Sequence, residues 1–115
     1  MPRAPARQID PLALSREIDE AYDNRSLDTV NDHEVRMSVM TSGFPWHRHP
    51  DSDETFLCVD GELVIEFPEH EVTLHPGELL TVPKGIVHRT RPNGARSVNL
   101  TFEKRGAETV FEQSA

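Results

Sequence analysis

Along the chain, apolar positions follow one period near the N-terminus and another beyond it. Leu14, Ile18, Ala21 and Tyr22 fall at i, i+4, i+7 and i+8, a single stripe of helical spacing. Asp10 before Pro11 is a helix start, with the carboxylate as N-cap and the proline at the first helical position. The pattern predicts a helix over residues 11–23 whose stripe packs on the main body. Residues 1–9, built from Pro, Ala and Arg without periodicity, read as a loose arm.

Beyond Asn24 the chain breaks into short segments bounded by Gly, Pro, Asn or Asp: 27–31, 34–42, 54–60, 62–67, 71–74, 78–82, 87–91 and 96–103. Leu63, Ile65 and Phe67 alternate with Glu62, Val64 and Glu66, and Val98, Leu100 and Phe102 with Asn99 and Thr101. Asn31-Asp32, Asp60-Gly61 and Pro76-Gly77 provide turns. Many short, turn-punctuated strands predict an all-β sandwich or barrel. In segment 54–60 both faces are apolar, Phe56 and Cys58 on one and Leu57 and Val59 on the other. Such a strand is covered on both sides, here by the N-terminal helix or by a second copy of the chain, so a homodimer is expected. The tail over residues 106–115 is polar, with Val110 and Phe111 free to dock.

The 115 residues make one domain, placed at 10–105, and a chain of this size buries roughly two thirds of its unfolded surface. Cys58 is the one cysteine, so no disulfide framework exists, and a buried thiol suits it better than a redox role. Twelve basic against twenty acidic residues give a net charge of −8, which repels nucleic acid and anionic lipid. Arg89, Arg91 and Arg96 read as a solvated strand face. No apolar run approaches a membrane span or follows the basic N-terminus as a secretory signal would, so a cytoplasmic location is expected.

The stretch Trp46-His47-Arg48-His49-Pro50-Asp51-Ser52-Asp53-Glu54 carries chemistry. Residues two apart on a strand share a face, so His47 and His49 project together with Arg48 opposite. A turn over 50–53 returns the chain so that Glu54, opening the next strand, can face the pair. Two imidazoles and a carboxylate on one face form a ready metal site. His88, after Pro83-Lys84-Gly85, is a fourth candidate in any fold that brings its strand over the pair. Met40, Trp46, Phe56 and Cys58 are candidate pocket lining, Trp46 either at the rim or as an anchor of the barrel edge. His33, His70 and His75 sit among acidic or turn residues and read as solvated.

These residues resemble the two motifs of the cupin family. Gly43, His47, His49, Glu54 and Gly61 match the first over 43–61, with four residues between His49 and Glu54 and six between Glu54 and Gly61. The gap from Gly43 to His47 is shorter than usual. Gly77, Pro83, Gly85 and His88 match the second over 77–93, although the family's closing Asn falls on Pro92, with Asn93 one later. The chain is most similar to the small single-domain cupins. The resemblance implies a double-stranded β-helix (jelly-roll) barrel with His47, His49, Glu54 and His88 as ligands of one divalent ion, Zn, Fe, Mn, Ni or Co. It also implies a small-molecule ligand but does not choose its chemistry. One expectation is a metal-dependent enzyme of oxygenase or isomerase type, acting on an oxygen-rich or carbonyl-bearing molecule. The other is a non-enzymatic binding or sensing module.

Overall fold

The computed structural model describes residues 5–113. In chain order they form α1 (Pro11–Ser15), β1 (Tyr22–Val30), β2 (His33–Met40), β3 (Phe44–Arg48), β4 (Glu54–Asp60), β5 (Leu63–Glu66), β6 (Glu71–Leu74), β7 (Leu79–Val82), β8 (His88–Pro92), β9 (Ser97–Lys104) and β10 (Val110–Phe111). One antiparallel sheet has the order β1-β2-β9-β4-β7 and the other β10-β3-β8-β5-β6. From β3 onward the chain passes back and forth between the sheets, which wraps it into a double-stranded β-helix, a jelly-roll barrel.

Met40, Phe56, Cys58, Leu63, Ile65, Leu74 and Val82 fill the interior at one end. A second cluster lies on the outer face of the first sheet, where Ile18 covers Met37, Val39 and Val98 and Val59 packs at its edge. The N-terminal segment is therefore the cover over this part of the sheet. It does not reach Leu79 or Phe102, which stay exposed on the same face.

The cover is not the helix that its periodicity predicts. Asp10 caps as expected, accepting from the Ala13 N–H at 3.1 Å, but α1 stops at Ser15. Beyond it the N–H groups of Glu17 and Ile18 turn back to the carbonyls of Leu14 and Ser15, tighter i−3 bonds, while Arg96 donates to the Ser15 and Ile18 carbonyls. The stripe is split: Leu14 and Ile18 pack outside the first sheet, whereas Tyr22 opens β1 opposite Met40 and packs with the interior core. Arg96 is thus a structural clamp, not a solvated residue. Arg89 and Arg91 remain on an exposed strand face, both paired with Glu66.

Of the expected arm over 1–9, residues 1–4 lie outside the described residues, and Arg7 pairs with Asp28 at 2.8 Å. The tail does dock: β10 pairs with β3, Val110 opposite Arg48 and Phe111 opposite His47. Among the described residues no helix is long and apolar enough to cross a membrane.

Gly61 makes the β4–β5 turn with φ +72°, where a Cβ would stand 2.1 Å from the Arg96 carbonyl oxygen. Gly61→Ala therefore combines a left-handed backbone with a backbone overlap. It is expected to cost about 2–4 kcal/mol, read as a lower urea midpoint at unchanged m-value.

Candidate metal centre

β3 and β8 bring two of the histidines together directly, His47 being the cross-strand partner of His88. The register slips by one residue between Phe44 and His47, a bulge that re-aims the strand beside the site. The turn over 50–53 then carries the chain across to the first sheet, where Glu54 is the first residue of β4. It is pinned from the facing loop: Gly85 N–H donates to the His49 carbonyl at 2.8 Å and Lys84 N–H to Asp53 Oδ1 at 2.9 Å. One donor atom from each of His47, His49, Glu54 and His88 lies within 4.8 Å of the others. All four residues are buried, His88 completely.

Backbone carbonyls set the tautomers. Nδ1–H of His47 donates to Pro45 O at 2.8 Å, that of His49 to Glu108 O at 3.0 Å, and that of His88 to Ile86 O at 2.9 Å. Each Nε2 is left facing the cluster, the atom whose lone pair a neutral ring would offer to a metal ion. Glu54 Oε1 stands 3.3 Å from Nε2 of both His49 and His88. His49 Nε2 is buried without a well-aligned hydrogen bond despite that proximity. An orphaned, inward-aimed nitrogen beside a carboxylate and two further imidazoles fits a metal ion better than a closed hydrogen-bond network.

Electrostatics separate the groups. Burial, then His88, pulls the His47 pKa down to about 4. Burial also opposes charge on His49, but the adjoining Glu54 more than reverses this and lifts it to about 9. Glu54 itself falls to about 2, its burial overcome by His49 and His88. Glu103, cross-strand partner of Glu54 on β9, is pushed up to about 7 by burial and by the Glu54 charge. Cys58 lies on the same face of β4 as Glu54 and Phe56, and burial raises its thiol pKa.

Above the cluster is a cavity of about 420 Å³ lined by Phe44, Phe56, Arg36, Glu103 and Thr109 besides the ligands His47, His49 and Glu54. Of the four residues expected to line it, Phe56 does. Met40 and Cys58 belong to the apolar core below it. Trp46 faces away, its ring under the Arg89 guanidinium at 4.5 Å, and so anchors the outer surface of the second sheet. Among the histidines expected to be solvated, His33 and His75 pair with Asp32 and Glu78, and His70 stacks on Phe67. Arg36, Glu103, Glu108 and Thr109 escape a motif-based reading, since none belongs to either motif. The alternation of polar and apolar residues on β2 and β9 is the only trace of the first two.

The family model for the cupin domain matches residues 33–102. An uncharacterised protein, YdbB, of Bacillus subtilis is 48% identical over 101 residues, 87% of this chain and 88% of that protein. A germin-like protein of Arabidopsis thaliana is 37% identical over 68 residues, 54% of this chain but only 31% of the relative. Among solved structures, a cupin-2 domain protein from Shewanella frigidimarina superposes with a TM-score of 0.78 at 27% identity, covering 84% of this chain and 94% of that one. A DMSP lyase from Ruegeria pomeroyi shares the fold at TM-score 0.69 and 20% identity, over 79% of this chain and 51% of its own.

The opposed shifts make stability pH-dependent in the presence of EDTA. The lowered pKa of His47 gives stability that is full above pH 6.5 and lost as pH falls toward 4. The raised pKa of His49 gives stability that is full below 6.5 and lost as pH rises toward 9. Glu103 works against His47, since its raised pKa gives stability that is lost as pH rises from 4.5 toward 7, and the two offset each other below pH 6.5. Tm is therefore expected by calorimetry to be nearly level from about pH 4.5 to 6.5 and to fall above it toward 9, and a Tm that holds or rises from pH 6.5 to 9 contradicts it.

Proposed function

The chain belongs to the cupin family, and on that premise we propose that His47, His49, Glu54 and His88 hold one divalent ion in a metal-dependent enzyme acting on a small oxygen-rich or carbonyl-bearing molecule. One observation carries the reading. Three buried imidazoles each give Nδ1–H to a backbone carbonyl, so their Nε2 atoms converge with one buried carboxylate. Three nitrogens and one oxygen suit Zn, Fe, Mn, Ni or Co. The ion would supply Lewis acidity and open coordination positions.

The chain's own residues do the rest. Phe44 and Phe56 form apolar walls, Thr109 and Ala107 from the docked tail narrow the mouth, and the barrel keeps bulk water from the floor. The Glu103 carboxyl lines the cavity beside Glu54, where it can accept a hydrogen bond from a bound molecule or exchange a proton with it.

Zinc or manganese added to EDTA-treated protein is expected to raise Tm, by about 2.7 kcal/mol of stability at a hundredfold excess over Kd. His88→Ala and Glu54→Ala should weaken binding by more than the roughly 10–100-fold typical of residues that only support a ligand. Metal affinity unchanged in both variants would end this reading. Metal-loaded protein is then screened for oxygen uptake and turnover of small carbonyl compounds. A ligand recovered chemically unchanged would point instead to a binding module.

We also propose that a second copy covers the rest of the outer sheet face. Leu57, Leu79 and Leu100 form one cross-strand row there, beside Phe102. Sedimentation showing a monomer at all concentrations rules this out, and Leu79→Glu is expected to shift a dimer toward monomer.

A further inference from the structure

Arg36, on β2, is the one arginine or lysine lining the cavity among the described residues. Its guanidinium is held in place by groups of its own wall. Nε donates to Asn24 Oδ1 at 2.6 Å, Nη1 to Glu34 Oε1 at 3.1 Å and Nη2 to the Asn24 carbonyl at 3.4 Å. A guanidinium has five N–H donors. Three are taken, and one remains on each terminal nitrogen, the pair that can grip a carboxylate with both oxygens.

The neighbours fit that role. Thr101 is the direct cross-strand partner of Arg36 and lines the same cavity, 2% exposed, with a hydroxyl that has no hydrogen-bond partner. Phe56 follows on the next strand, and the Glu103–Glu54 row lies one inward step along. Two strand spacings sideways, roughly 10 Å, and one same-face step of about 7 Å separate the backbones of Arg36 and Glu54. The two long side chains shorten that span to the reach of a molecule of a few carbons.

We propose that Arg36 determines specificity in this cavity by binding the carboxylate of a small organic acid, whose second oxygen function reaches the His47–His49–Glu54–His88 cluster. The inference rests on the metal reading above and adds the substrate class. Glu34 and Glu103 beside the guanidinium disfavour a dianionic phosphate and leave a single carboxylate as the matching charge.

The test titrates zinc-loaded protein calorimetrically with glycolate, pyruvate and malonate, and with their neutral amides. The acids are expected to bind about 10-fold or more tighter than the amides. Arg36→Gln is expected to abolish that preference, and Arg36→Lys to restore it only in part, because an ammonium lacks the planar fork. Zinc affinity, measured by chelator competition, should stay at the wild-type value in both variants, and amide binding should fall far less than acid binding. Acids binding Arg36→Gln as tightly as wild type, or amides binding wild type as tightly as acids, overturns the proposal. So does zinc affinity falling in step with acid affinity, which would make Arg36 a prop of the metal centre. If wild type takes up no zinc, the metal reading fails by itself. The same wild-type and Arg36→Gln titrations without zinc then decide the carboxylate site, acid binding lost in the variant supporting it and no difference overturning it.

Discussion

A carboxylate carried inside a barrel must be answered by positive charge, and Glu54 imposes that condition on everything around it. Burying an unpaired ion costs several kcal/mol even after relaxation. Here Nε2 of His49 and of His88 each stand 3.3 Å from the same oxygen, and the three histidines are steered there by carbonyls of Pro45, Ile86 and Glu108. Those carbonyls come from three separate stretches: the start of β3, the loop before β8 and the docked tail. The bulge in β3, the pinned turn over 50–53 and the pairing of β10 with β3 all serve to put them there.

The same constraint explains why the first sheet is inside out over part of its length. On β9 the polar residues Ser97, Asn99, Thr101 and Glu103 face the interior, and apolar Val98 faces outward beneath Ile18. On β2, Ser38 and Arg36 line the cavity while Met37 and Val39 sit under the N-terminal cover. A barrel with a polar lumen at its mouth buries less apolar surface inside. It must then find a second apolar contact to stabilise the sheet. Leu14, Ile18 and Leu27 provide it, outside the barrel.

Where local rules act alone, the elements are legible in the sequence. β4 and β6 span 54–60 and 71–74 as their turn residues and alternation indicate, and His47, His49 and Glu54 converge because period two and one short turn suffice. His88 needed the family resemblance, since nothing local links it to residues some forty positions earlier. The helix over 11–23 fails because its stripe serves two surfaces at once, with Tyr22 drawn into β1 and Arg96 binding the carbonyls that a longer helix would use. Cys58 points inward as its parity with Phe56 indicates, and Met40 lies in the same core, but parity does not tell the apolar floor from the cavity above it. Glu103 and Arg36 look like the solvated side of amphipathic strands until the cover over the opposite face is seen. Asn93, one place past the motif's closing position, still braces the β4–β5 turn through Glu62 at 2.8 Å.

His49 takes its orientation from Glu108, 59 residues later, and the loop bearing that carbonyl is held by Asp51 through the Glu108 N–H at 3.0 Å. The consequence is sensitivity at a distance. A substitution in the loop over 106–109 that touches none of the four cluster residues still frees the His49 ring to turn, because the carbonyl that fixes its Nδ1–H belongs to that loop and not to β3.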